Sequence, residues 1–186
     1  MPALILASTS HYRRMLLERL RLPFEMVRPE VAEDLLAGEA PVDRAGRLSL
    51  AKARAVAQRH PGAVVIGSDQ VAALGDQILD KPGDAATCRA QLAALSGHTA
   101  QFFTGCAVGN DVHIDTTSVV FRRLDAEEIA RYVDAERPFD CAGGFKVEAL
   151  GISLFERIEC SDPTALIGLP LIWLARTLRA KGFLVP

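Results

Sequence analysis

The chain has 186 residues, of which 49% are apolar and 24% charged, a composition typical of a globular protein rather than a disordered or collagen-like one. Its formal net charge is -2 and no block of lysine or arginine occurs, which argues against a sequence-independent nucleic-acid binder. The length suffices for one buried core and is short for two.

Strands and helices alternate along the chain, beginning with an apolar run over Ala3–Ala7 that is typical of a strand buried on both faces. The predicted helices cover about residues 12–20, 43–59, 84–95, 125–135 and 164–180, the last of them broken by Gly168 and Pro170. The predicted strands cover residues 3–7, 63–66, 71–74, 77–79, 100–108, 112–121 and 152–155. This order favours an α/β fold in which one domain, residues 1–186, surrounds a mixed sheet.

Three features of the sequence bear on the cellular compartment. The N-terminal residues MPALILASTS have no basic segment, so we expect no signal peptide. No stretch approaches the ~18 apolar residues needed to cross a bilayer. The four cysteines form no CxxC pair, so we expect reduced thiols, buried or nearly so, and no structural zinc. A cytoplasmic protein is therefore predicted.

The first candidate site lies where the opening strand runs into a helix. Ser8 and Ser10 are good helix caps, and Arg13 falls in the first helical turn. A helix N-terminus with hydroxyls and a cation is a natural seat for phosphate. The alternative is that the serines only cap the helix and Arg13 is solvated.

Further candidates follow along the chain. Asp69 is predicted to lie just beyond a buried strand, where a carboxylate could bind Mg²⁺ or activate water. Lys81 precedes a proline that stiffens its loop. Lys146 and Glu148 follow a pair of glycines, where they could meet a phosphate and the N–H groups of a base. Each has an ordinary alternative, namely a turn aspartate, a surface turn or a flexible glycine loop.

Together these residues supply cations and a carboxylate around a helix N-terminus. A nucleoside triphosphate needs such a set, because its roughly four negative charges must be neutralised before water can attack.

Several motifs resemble those of the Maf nucleotide pyrophosphatases. They occur in the same order over nearly the whole chain, and they are Ser8-x-Ser10-x-x-Arg13-x-x-Leu16-Leu17, Leu50-Ala51-Lys52-Ala53, Gly67-Ser68-Asp69-Gln70-Val71, Lys81-Pro82, Thr104-Gly105, Cys141-Ala142-Gly143 and Gly168-Leu169-Pro170. The resemblance implies a single elongated Maf/ITPase-like domain around a twisted mixed sheet, and metal-dependent hydrolysis of an α–β phosphoanhydride.

The resemblance also implies roles for individual residues. Asp69 corresponds to the general base or metal-bound activator of water, and Glu33 to an acidic residue that helps to hold a divalent cation, Mg²⁺ or Mn²⁺. Arg13, Lys52 and Lys81 match positions near the phosphates.

Gln70 and the segment Cys141–Lys146 resemble the subfamily that acts on 7-methyl-GTP rather than the one that acts on dTTP and UTP. Tyr12, Gln70 and Glu148 then match the positions that set specificity, with Tyr12 stacked on the cationic methylated base. Two alternatives stay open, a dTTP or UTP pyrophosphatase and a non-catalytic nucleotide-binding regulator of cell division. A homodimer is expected from base rates alone.

Overall fold

The computed structural model describes residues 2–186, and among these no helix is long and apolar enough to cross a membrane. The strands are β1 (Leu4–Ala7), β2 (Glu25–Met26), β3 (Val64–Leu74), β4 (Gln77–Leu79), β5 (Thr99–Val108), β6 (Asp111–Phe121) and β7 (Phe155–Glu159). The helices are α1 (His11–Glu18), α2 (Pro41–Arg59), α3 (Ala85–Leu95), α4 (Ala126–Glu136) and α5 (Leu171–Ala180), with short 3-10 turns at Ala142–Gly144, Leu150–Leu154 and Ala165–Ile167.

The strands form one mixed sheet, hydrogen-bonded in the order β2-β1-β3-β5-β6-β7, with β4 paired to β3. β1 pairs in parallel with β2 and with β3, so that Leu4 lies opposite Val64 and Ala7 opposite Gly67. β4 and β7 pair antiparallel with β3 and β6 respectively. The predicted α/β class, a mixed sheet with flanking helices, is confirmed.

The chain packs into two compact units. The first comprises the residues up to Gln70, Phe103–Asp115 and Asp162–Pro186, and the second comprises Val71–Phe102 and Thr116–Ser161. Strands β3, β5 and β6 each contribute residues to both units. The assignment of residues 1–186 to one domain stays a prediction.

In the first unit, β1 is buried on both faces because its side chains alternate between two apolar clusters. Leu4 and Leu6 pack in the cluster that contains the buried leucines of α1 and α5. Ile5 and Ala7 pack in the cluster that contains buried residues of α2. The predicted opening strand is thus confirmed.

In the second unit, the core is built around Phe145, which follows the two glycines of the Cys141–Glu148 segment. Its ring makes edge-to-face contacts with Phe102, Phe121 and Phe155, at centroid distances of 5.2, 5.6 and 4.9 Å. The segment is therefore anchored in an aromatic cluster and is not merely a flexible glycine turn.

The prediction that Asp69 follows a strand was wrong. β3 is a single strand of 11 residues that includes Asp69, where the sequence pattern predicted two strands separated by the polar run of residues 67–70. These polar residues stay in the strand because distant partners satisfy them. Ser68 donates to the carbonyl of Gly168, and Asp69 accepts from Lys52.

The predicted break of the last helix at Gly168 and Pro170 is confirmed, whereas its predicted start near residue 164 was wrong. α5 begins at Leu171 rather than near residue 164, because Gly168 adopts a φ of 135° that is incompatible with a helix and Pro170 precedes the first turn. Asp162 still serves this helix, since its carboxylate accepts a 2.6 Å hydrogen bond from the backbone N–H of Ile172.

The cysteines differ in exposure. Cys88 and Cys106 are buried, and burial raises the pKa of the Cys88 thiol to about 11 and that of the Cys106 thiol to about 12. Cys141 is half-buried, whereas Cys160 is exposed just past the end of β7. The expectation that all four are buried or nearly so was therefore wrong for Cys160.

Candidate active site

A lysine flanked by two carboxylates forms the centre of the candidate site in the first unit. Lys52 Nζ lies 2.5 Å from Asp69 Oδ1 and 2.7 Å from Glu33 Oε1. The Lys52 and Asp69 side chains are only 8% and 11% exposed, whereas that of Glu33 is 54% exposed. Because the Lys52–Asp69 pair is shielded from water, each charge depends on the other for compensation.

Two glycines bring α2, which carries Lys52, close to the strands beneath it. A Cβ atom on Gly67 would lie 2.1 Å from the carbonyl oxygen of Ser49, and one on Gly105 would lie 2.3 Å from that of Ala45. Neither distance is sterically allowed, so only glycine permits this approach. Lys52 consequently reaches a carboxylate two residues beyond Gly67.

Of the two predicted serines, Ser10 caps α1 and Ser8 holds the turn that precedes it. Ser8 Oγ accepts a 3.1 Å hydrogen bond from the backbone N–H of Ser10, and Ser10 Oγ accepts a 3.4 Å bond from that of Arg13. Both hydroxyls act as acceptors in these bonds, so each keeps its own O–H donor for another group. Capping and phosphate binding are therefore compatible for these serines.

Arg13 is half-buried rather than solvated. Its Nε donates to the Gly168 carbonyl at 3.2 Å, and Ser68 Oγ donates to the same oxygen at 2.9 Å. Burial lowers the pKa of the guanidinium, while the charges of Asp69 and Glu33 oppose that change. The bond through Nε orients the two terminal nitrogens of Arg13, which are the atoms suited to bidentate phosphate contacts.

Gln70, the predicted specificity residue on β3, uses its amide nitrogen for hydrogen bonds within the protein. Its Nε2 lies 2.9 Å from Thr104 Oγ1 and 3.2 and 2.9 Å from the carbonyl oxygens of Ala165 and Leu166. Its amide hydrogens are thus directed at the turn before Gly168, which leaves Oε1 as its polar atom for a ligand.

Tyr12, also predicted to set specificity, is half-buried on α1 next to Arg13. Its ring makes an edge contact with the neighbouring His11 ring at a centroid distance of 6.2 Å. The first unit therefore contains both Tyr12 and Gln70, together with the phosphate-binding candidates of α1 and α2.

The second unit holds the three other candidates. Lys81 is exposed and is followed by the buried Pro82, and Glu148 is exposed. Lys146 is half-buried, with Nζ 3.4 Å from Glu136 Oε1 and 3.2 Å from the Glu136 carbonyl oxygen at the end of α4. This position of a cation at a helix C-terminus accounts for Lys146 structurally.

Comparison with known proteins identifies the family. A model described as Maf-like protein matches residues 3–181. The chain belongs to the Maf family. Curated proteins named 7-methyl-GTP pyrophosphatase are 56% identical in Aromatoleum aromaticum (98% of this chain and 97% of the relative covered), 57% in Xanthomonas oryzae pv. oryzae (100% of both) and 52% in Bordetella pertussis (97% and 93%).

Two carboxylates of this Maf-family chain could serve as ligands of a hard divalent cation, but they do not complete its coordination. Asp69 and Glu33 both approach Lys52 Nζ, so two oxygen ligands of the kind that Mg²⁺ and Mn²⁺ prefer lie near one another. Within residues 2–186 no group of three or more His, Cys, Asp or Glu side chains could hold a metal ion. Such a chain fits a cation that takes its remaining ligands from phosphate and water, as Mg²⁺ commonly does.

Some residues of the Maf site had no predicted role. Thr104 and Gly168 occur in the motifs of the resemblance, and the structure shows that they hold Gln70 and Arg13. Within β3, Ser68 lies on the same face as Gln70 and on the opposite face from Asp69. The bond from Ser68 to Gly168 spans 100 residues, so no local pattern predicts it.

Proposed function

We propose that the chain hydrolyses 7-methyl-GTP to 7-methyl-GMP and pyrophosphate. The Lys52–Asp69–Glu33 cluster is the observation that carries the proposal, because it combines a buried carboxylate with a cation. The name shared by relatives that are 52–57% identical over nearly their whole length supports this substrate. House-cleaning of modified nucleotides is the corresponding biological role.

In the proposed reaction, Asp69 orients and deprotonates the water that attacks the α-phosphorus, and the α–β bridging oxygen leaves with pyrophosphate. Lys52 and Arg13 offset the negative charge that builds up on the phosphate oxygens. Ser8 and Ser10 donate their hydroxyl hydrogens to the phosphates at the start of α1. Lys81 is proposed as a further phosphate ligand, and Lys146 as a further residue of the nucleotide pocket.

We propose a divalent cation, Mg²⁺ or Mn²⁺, as the cofactor, held by Asp69 and Glu33. When bound, it would supply charge neutralisation and acidify a water ligand. Lys52 keeps the two carboxylates together before the nucleotide binds, since without a cation they would repel each other.

For base recognition, we propose that Tyr12 stacks on the cationic 7-methylguanine ring, because a positive ring is attracted to an aromatic face. Glu148 accepts the N1–H and N2–H of guanine. Gln70 contributes through Oε1, the atom that the turn at residues 165–168 does not use.

The remaining predictions concern partners and location. We propose a nucleoside triphosphate as the ligand and no nucleic acid as a partner. The cytoplasmic location and the homodimer stay predictions.

The decisive experiment compares pyrophosphate release by the wild type, Asp69→Asn and a matched control, Asp76→Asn, which changes an exposed aspartate in the turn between β3 and β4. The substrates are 7-methyl-GTP, GTP, dTTP, UTP and CTP, each with Mg²⁺, with Mn²⁺ and with a chelator. We expect metal-dependent turnover with a preference for 7-methyl-GTP, lost by about 10³-fold in Asp69→Asn and retained in Asp76→Asn.

Other outcomes separate the alternatives. A preference for dTTP or UTP would preserve the mechanism and contradict the proposed roles of Tyr12, Gln70 and Glu148. Binding of nucleotides without turnover would favour the non-catalytic regulator. Full activity of Asp69→Asn would show that another group activates the water.

A further inference from the structure

The segment that carries Glu33, residues 27–40, has neither helix nor strand and is rich in acidic residues; we call it the acidic segment. Its backbone bonds to the sheet through Val27 N–H, which donates to the Leu6 carbonyl at 3.0 Å. A turn near its end is closed by a 3.1 Å bond from Glu39 N–H to the Leu36 carbonyl. Other contacts must therefore define the position of Glu33.

Arginines of α2 provide such contacts at three points. Arg44 Nη2 donates to the carbonyl oxygen of Glu33 at 2.7 Å, and Arg47 Nη2 donates to that of Asp34 at 3.1 Å. Further along the helix, Arg59 donates to the Arg28 carbonyl at 2.6 Å and to Glu30 Oε2 at 3.1 Å. The first two contacts hold the backbone at Glu33 and at the next residue, whereas the third holds the start of the segment.

Arg47 also makes a two-point ion pair with Glu39. Its Nε contacts Oε1, and its Nη2 lies 2.7 Å from Oε2. The Glu39 side chain is only 8% exposed, and its hydrogen bonds with Arg47 lower the pKa of that carboxyl. A planar guanidinium serves two carboxylate oxygens and a backbone carbonyl from N–H groups fixed on separate nitrogens, whereas a lysine would have to direct all its N–H groups from one nitrogen.

We propose that Arg44 and Arg47 are positioning residues that hold the Glu33 carboxylate beside Lys52 and Asp69. They act through the backbone of the acidic segment and contact neither substrate nor cation. Arg47 also closes the segment by its pair with Glu39. The effect on catalysis rests on the proposed function. The position of Glu33 does not, because contacts within the protein alone determine it.

The first test measures holding without any nucleotide. A glutamate-specific endopeptidase is applied to the native protein, and cleavage after Glu33 is compared with cleavage after Glu30. Arg44→Gln and Arg47→Gln are each expected to accelerate cleavage after Glu33 by about 10-fold, because the free energy of local opening of the segment falls. Arg59→Gln is the matched control and should accelerate cleavage only after Glu30.

The second test is a double-mutant cycle with Glu33→Gln. Arg47→Gln is expected to raise the Mn²⁺ concentration for half-maximal turnover by about 10-fold in the wild-type background and to have little effect once Glu33 is replaced. Arg47→Lys should restore less than half of the loss. Because Arg47→Gln leaves Glu39 buried and unpaired, Arg47→Gln/Glu39→Gln is prepared in parallel in case the single variant does not fold.

Unchanged cleavage after Glu33, or additive effects in the cycle, would overturn the proposal. If the wild type turned over no nucleotide, the proposed function would fail while the proteolysis would still decide whether the two arginines hold Glu33. If Glu33→Gln behaved like the wild type with Mn²⁺, the catalytic part of the proposal would be overturned, whereas the proteolysis would still decide whether the two arginines hold Glu33.

Discussion

The candidate residues of the first unit and those of the second are held in different ways. In the first, Lys52 and Asp69 pair with each other largely shielded from water, and Arg13 donates to the Gly168 carbonyl. In the second, Lys81 and Glu148 are exposed. The first unit thus presents charges whose orientation the protein itself sets, as electrostatic catalysis requires, whereas side chains as exposed as Lys81 and Glu148 keep rotamer freedom that binding would have to remove.

The largest loss of activity should come from substitution of Lys52, at the centre of the candidate site in the first unit. Lys52→Met removes the cation from between Asp69 and Glu33, and we expect kcat to fall by about 10³-fold. The steady-state rate of pyrophosphate release at saturating substrate measures this kcat. Lys181→Met is the control, since Lys181 makes a 2.7 Å pair with Asp111 on the surface of the same unit. A loss below 10-fold for Lys52→Met would contradict the idea of preset charges.

A smaller effect is expected from Arg13→Lys, which keeps the charge but loses the bond from Nε to Gly168. We expect kcat/KM to fall by about 10²-fold, because a lysine ammonium cannot bind both the carbonyl and two phosphate oxygens. Arg14→Lys alters the next residue of α1, which pairs with Glu18 at 2.9 Å, and should retain activity. Equal activity of both variants would mean that charge alone matters at residue 13.

For Glu148, in the second unit, we expect a substitution to change substrate selectivity rather than the rate. Glu148→Gln should reduce the ratio of kcat/KM for 7-methyl-GTP to that for GTP by about 10-fold, because one charged acceptor facing the base is lost. The exposed Glu156 of β7 provides the control, Glu156→Gln. An unchanged ratio would remove Glu148 from base recognition.

The smallest expected effect is on stability, and it concerns Asp115, a buried carboxyl of the first unit. Asp115 is 5% exposed, and its Oδ1 has no hydrogen-bond partner in residues 2–186. Burial and the nearby Asp162 raise the pKa of Asp115, and His113 opposes them. A raised pKa in the folded state means that Asp115 destabilises the protein increasingly as pH rises above about 4 and through the folded-state pKa.

Asp115→Asn should therefore raise the free energy of unfolding by roughly 1 kcal/mol at pH 8, and this gain should shrink as pH falls toward 4. Urea denaturation at pH 5, 6.5 and 8 measures the difference, with Asp76→Asn as a control that should show no such trend. A gain that is independent of pH would show that the charge of Asp115 is not the cause.

The sequence predicted those parts of the fold that depend on local patterns. β1 and α1 follow from a continuous apolar run and from serines at a helix start, and the predicted helix near residues 125–135 is α4, which Asp125 caps in a capping box with Glu128. The two-residue strand β2 was missed, because two residues cannot display a strand period and β2 is defined only by its pairing with β1.

Features that depend on distant partners were not predictable from local patterns. The polar residues 67–70 are typical of a loop, yet they continue β3 because Lys52, Thr104 and the Gly168 carbonyl satisfy them. Residue types and spacing predicted some candidate site residues, such as Arg13 and Asp69, and the resemblance to the family added others, such as Lys52 and Glu33. The bonds that hold these residues join positions up to 155 apart. A single sequence contains no sign of these bonds.

The glycines beneath α2 have a consequence for mutational scanning. Any side chain at residue 67 or 105 would collide with the α2 backbone, so substitutions there should deplete the protein from cells whatever the assay. Substitutions of exposed Glu33 should leave abundance near normal and depress only growth that depends on turnover. Scoring one library for both abundance and activity would therefore distinguish Gly67 and Gly105, which the fold requires, from Glu33, which only activity requires.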